Sequence, residues 1–168
     1  MFLWPQGEKK EFLFPWPEQA GTAVSWSSAS FKLLLSLTAV ALVYAATAIG
    51  GLSYAVVGST VTLIWAPSGI ALAAILLLGY RTAAGVALGA FLANAWTGVP
   101  LGVAAGIAVG NTLEAVVGVW LLTRVANFGS AMDRRRDVFA MIALAAVAST
   151  TLSALIGVFT LSLGGLVT

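Results

Sequence analysis

The chain contains no cysteine and no histidine. Without cysteine it forms no disulfide, offers no thiol nucleophile and holds no iron–sulfur cluster. Without histidine it lacks the commonest metal ligand and the usual proton shuttle. Charge is scarce too. Eight Lys and Arg and six Asp and Glu make up 8% of 168 residues, against about 25% in soluble domains. A pI near 9.3 therefore says little about nucleic acid, because the few cations are all accounted for below by topology. What the chain does have is apolar surface, with 60% hydrophobic residues and a mean hydropathy of +1.01. A water-soluble core of this length cannot enclose so much. The expectation is an all-α integral membrane protein.

Residues 1–30 lack the order of basic, apolar and small-residue regions that marks a cleavable signal peptide. Trp4, Phe12, Phe14, Trp16 and Trp26 alternate there with Pro5, Pro15, Pro17 and charges. Aromatic side chains of this kind favour the headgroup zone, so the segment reads as an interfacial arm or as a docking arm for a neighbouring protein. Residues 31–168 read as the helical bundle.

Five apolar segments follow, at the length a bilayer demands of a helix. They run from about Phe31 to Gly50, within Ser59 to Tyr80, and from about Thr82 to Thr97, Leu101 to Leu122 and Val138 to Leu161. If the crossings alternate, Lys9, Lys10, Lys32, Arg81, Arg124, Arg134, Arg135 and Arg136 all fall on one side, which the positive-inside rule makes cytoplasmic. The N-terminus is then inside and the C-terminus outside. In the second segment Pro67 follows Trp65 closely. Proline disfavours helix in the residue before it and suits the first helical turn. Helix two is therefore either broken at Pro67, with its positive dipole end toward a cavity, or continuous and kinked.

Small residues recur every four positions in two segments: Gly85, Gly89 and Ala93, then Gly102, Gly106, Gly110 and, past Glu114, Gly118. This spacing lets helix backbones approach closely. Glu114 lies on the second stripe, so it should point into a helix seam and not into lipid. A charged, unpaired carboxylate there would cost several kcal/mol. Counting back from the turn near Val99 sets Glu114 level with Ala84, one turn from Arg81. The expectation is that Glu114 is neutralised by Arg81, by a polar neighbour on helix four or by a proton; an Arg81–Glu114 pair would either clamp the bundle or act as a ligand-coupled switch. Trp65, Pro67, Ser68, Asn94 and Asn111 are the other candidates. Either they line an outward-facing polar pocket, or the two asparagines simply bond across helices.

The stretch from Trp65 to Val125 resembles the first type of membrane-associated sensor domain, the MASE group. Those domains are the input halves of bacterial histidine kinases and diguanylate cyclases. Trp65, Pro67, Ser68, Gly69, Gly79, Arg81, Gly89 and Asn94 carry the resemblance, with the run from Gly110 to Ala115 (GNTLEA) and the RRRDV run before helix five. It covers about residues 30–168 and leaves the arm outside. It implies a multi-pass protein of the bacterial inner membrane with a sensory role. Family members continue into further helices and a cytoplasmic transmitter. This chain carries no kinase, cyclase or phosphodiesterase motif, and is expected to be a fragment or a natural short form.

Two functions follow. One is a sensory input module that binds a small ligand or a membrane partner. The other is a non-catalytic accessory subunit of a photosynthetic or respiratory membrane complex. A transporter component is a weaker third reading, because one intramembrane acid is few for an ion-coupled path. No nucleophile–base pair or metal cluster can be assembled. Neither an enzyme nor a cofactor is expected, and the partners are lipid and other membrane subunits.

Overall fold

The computed structural model describes residues 26–53, 65–129 and 134–166. The interfacial arm with Trp4, Phe14 and Trp16, and the piece of segment two ahead of Trp65, lie outside the described residues. Five helices appear in order. They are α1 (Trp26–Ser53), α2 (Ala66–Leu78), α3 (Ala83–Trp96), α4 (Leu101–Val125) and α5 (Arg135–Leu163). The first begins earlier than expected, so the stretch assigned to the arm ends within a helix.

Helix is what such sequences form in lipid, because it satisfies every backbone group within one segment. Polar side chains follow the same rule. Ser36, Thr47 and Ser53 donate to the Leu33, Val43 and Ile49 carbonyls of their own helix. By length and composition α1, α4 and α5 can each cross a bilayer. With 13 and 14 residues, α2 and α3 reach only about 20 Å at 1.5 Å per residue, short of the roughly 30 Å hydrocarbon core. About five spanning segments were expected, the second either broken at Pro67 or kinked; among the described residues three helices have the length of a full crossing.

Close approaches set the direction of the helices. A Cβ built on Gly85 would stand 2.7 Å from the Leu37 carbonyl oxygen, and one on Gly89 2.6 Å from that of Ala41. Numbers rise together along α3 and α1, so the two run parallel. The α3 glycine stripe thus packs against α1. Trp65, ahead of α2, packs near Gly51 at the end of α1, so α2 returns alongside α1. Along α4 and α5 the pairing is antiparallel. Gly106 meets Thr160, Gly110 meets Ile156 and Gly118 meets Ser149. Gly102 is exposed with open space around it, so the close-packed seam starts at Gly106, one turn later than the spacing suggested.

These directions gather Lys32, Arg81, Arg124 and Arg134–Arg136 at one end of the bundle. The end of α1, Trp65, the α3–α4 turn and the end of α5 gather at the other. Between them the core is built of small residues around Tyr44 and Ile75, among them Ala48, Ala71, Val86, Ala90, Ala93 and Ala115. Large apolar side chains such as Leu34, Leu42, Leu77, Leu88 and Phe159 face outward, as the lipid-facing side of a membrane bundle requires.

Candidate functional site

Trp65 has φ −111° and ψ 81°, outside helical geometry, and α2 begins directly after it. Pro67 falls in the first turn, where its missing N–H removes no helical bond. It is buried. This is the start the broken-helix reading requires; residues 54–64, which would show what precedes it, are not described. No side chain among the described residues caps the α2 N-terminus.

That first turn opens onto a cavity of about 370 Å³ at the end of the bundle away from the arginines. Trp65 and Ser68 line it from α2, Asn94 and Thr97 from the end of α3, and Asn111 and Glu114 from α4. The opposite wall is α5, through Thr150, Ser153, Ala154 and Gly157. Five of the seven candidates from sequence therefore meet in one place. Pro67 shapes the wall without lining it. Arg81 does not take part.

Glu114 is 6% exposed, as its place on the glycine stripe predicted. Its partner was not predicted. Thr150 Oγ1 donates to Glu114 Oε1 at 2.9 Å. The only ion pair among the described residues is Arg136–Asp137, at 3.9 Å, so the expected Arg81–Glu114 pair is absent. The cause is the α3 rotation just described. The stripe that begins at Gly85 is spent on α1, and Arg81 is exposed at the α2–α3 turn.

The asparagines divide. Ser153 Oγ donates to Asn111 Oδ1 at 3.1 Å, a bond between α4 and α5. Asn94 Nδ2 donates to the Ala90 carbonyl of its own helix at 2.8 Å. Asn111 Nδ2 is buried without a hydrogen-bond partner, as is the Tyr44 hydroxyl. That hydroxyl lies beside Trp65 and Asn111 and within the field of Glu114, without a well-formed hydrogen bond to either neighbour. Asn111, with Nδ2 unsatisfied, and Glu114, hydrogen-bonded through Oε1, thus both belong to the cavity wall, and the unsatisfied Tyr44 hydroxyl lies beside them. Buried polar groups are normally bonded; among the described residues the other buried side-chain atoms without a partner are the two Asp137 oxygens, at the arginine end.

Sequence reasoning missed Thr150 and Ser153. A signal was present: Thr150, Ser153, Gly157 and Thr160 recur at three- and four-residue spacing, one face of a helix. Helix α5 winds more widely than an α-helix over Met141–Ser149, directly before Thr150. Such wide turns often lie at functional positions. Asp137 was also missed. It is 1% exposed, and neither carboxylate oxygen has a hydrogen-bond partner among the described residues. It sits at the arginine end, away from the cavity.

The sequence model of the MASE1 family matches residues 35–168, the region that holds all five helices but the first turns of α1. No curated protein and no solved structure matches.

Proposed function

The chain belongs to the MASE1 family, membrane sensor input domains of signalling proteins, and on that premise we propose that it senses a small molecule held in the cavity between α2, α3, α4 and α5. The observation that carries this reading is Glu114, a buried carboxylate on a cavity wall. One hydroxyl satisfies one of its oxygens; Oε2 has no hydrogen-bond partner among the described residues. A bundle that needed only stability would do better with an apolar side chain there, since buried charge costs more than packing returns. Retaining it makes sense where a ligand completes the site.

The cavity lies across the α4–α5 seam. A ligand reaching Glu114 and Asn111 also touches the α5 side chains that hold them. It can therefore favour one packing of α5 over another, which is the differential contact any ligand-driven shift requires. With the arginine end cytoplasmic, the cavity faces the outer side of the inner membrane and α5 links it to the basic end. In this reading the domain binds and performs no chemistry.

The test uses Gly157→Leu. Gly157 lines the cavity, and a Cβ there meets nothing within 4 Å, so a larger side chain can start from this position without a backbone clash and occupy cavity space. Both proteins are extracted gently from native membranes and the retained small molecules identified by mass spectrometry. The wild type should carry a compound that the variant lacks. Equal cargo in both would overturn the reading. Copurification with a photosynthetic or respiratory complex, in place of a kinase or cyclase, would favour the accessory-subunit role.

A further inference from the structure

From the charge and polarity of the cavity wall, we infer that the molecule it takes is a small organic cation, an ammonium group carried on a short apolar chain. The inference rests on the cavity being a ligand site, as proposed above, and adds the class of ligand.

The wall carries one carboxylate, Glu114, and no Lys or Arg among the described residues that line it. In a medium of low dielectric one unbalanced charge dominates recognition. An anion would be repelled, and a neutral molecule would leave the carboxylate uncompensated. A cation supplies the missing partner. Glu114 Oε1 already accepts from Thr150. Oε2 remains for an N–H donor, and a charge-assisted bond of that kind is among the strong ones.

The surroundings fit the rest of such a ligand. Trp65 lines the same wall, and the indole face is the best aromatic partner for a cation, effective within about 6 Å. The Asn111 and Asn94 side chains add neutral polar groups to the same wall. Leu52, Ile107, Val158 and Leu161 add apolar surface to the wall. They suit a short hydrocarbon tail. A bare metal ion is a poor fit, because hard cations want about six oxygen ligands, and the described residues contain no cluster of acidic side chains able to supply them.

The purified full chain in lipid nanodiscs is titrated with n-butylammonium, 1-butanol and butyrate, which share a tail and differ in charge. Binding is followed by saturation-transfer NMR and calorimetry. Butylammonium should bind, and the alcohol and the acid should not. Glu114→Gln keeps an acceptor for Thr150 and removes the charge; it should weaken butylammonium by about tenfold or more, the range expected for one charge-assisted bond. Gly157→Leu should abolish it. If Glu114→Gln does not fold, Asn111→Asp asks the same question in reverse. A second carboxylate should tighten butylammonium and leave butanol unchanged.

Butanol or butyrate binding as well as butylammonium, with Gly157→Leu blocking all three, would overturn the cation assignment and leave the cavity as a ligand site. Butylammonium affinity unchanged by both carboxylate variants would overturn it too. If none of the three binds, or Gly157→Leu changes nothing, the cation assignment and the cavity reading fall together.

Discussion

A single methyl group decides whether α1 and α3 can meet. A Cβ on Gly89 would stand 2.6 Å from the Ala41 carbonyl oxygen and 2.9 Å from Tyr44 Cβ. Neither backbone nor a buried tyrosine can yield cheaply. Gly89→Ala should therefore destabilise the protein by about 1–3 kcal/mol, the usual cost of overpacking. Gly102→Ala, in open space, should stay within about 0.5 kcal/mol. Unfolding in mixed micelles compares the two, and equal losses would refute the close α1–α3 contact. The Glu114–Thr150 bond makes a second test. Thr150→Val keeps the shape and strands a buried acceptor, at about 1–3 kcal/mol. Thr151→Val is the control, because Thr151 donates only to Val147 of its own helix; it should be near neutral. With no Arg81–Glu114 contact, Glu114→Ala and Arg81→Ala should add within about 0.5 kcal/mol in a double-mutant cycle. A larger coupling would restore the pair that the structure lacks.

Among the elements, α2 is the informative one. It is too short to cross the hydrocarbon alone, and its first turn opens on the cavity. A cysteine at Ser68, which lines the cavity, should react with a small cationic thiol reagent added outside sealed cells. One at Ala71, 1% exposed in the core, should not. Protection of Ser68→Cys equal to that of Ala71→Cys would mean that the cavity is closed to the outer aqueous phase. The element scale also explains which site residues could be found from sequence. Trp65, Ser68, Asn94, Asn111 and Glu114 stand out because polar or bulky groups are rare against an apolar background and costly in lipid. Thr150 and Ser153 do not stand out. Serine and threonine commonly hide their hydroxyls on their own helix, as Ser36 and Thr47 do, and sequence does not tell such a hydroxyl from one that reaches a neighbouring helix.

For the molecule as a whole, the directions of the helices bring the described basic side chains to one end, and positive charge is retained on the cytoplasmic side. A cysteine at Gly129, in the α4–α5 connection, should be shielded from an impermeant reagent in intact cells. One at Leu166, just past α5, should be labelled. The reverse pattern would invert the bundle, and labelling of both or neither would mean that α5 does not cross.

Composition alone determined that this is a helical membrane protein. Transfer of apolar surface and the need to satisfy backbone groups leave few other solutions for a chain so short of charge. Local spacing determined that Glu114 faces protein, because a residue four positions after Gly110 shares its face whatever packs against it. The carboxylate's partner was decided only by tertiary structure. Short turns such as Thr97–Pro100 fix which helices are antiparallel, but not the rotation of each about its own axis. In α3 that rotation turned the glycines to α1 and left Arg81 at the surface. In α5 it turned Thr150 and Ser153 toward α4. The rotation is set by how small residues on three or four helices interlock at once, and no single segment contains that information.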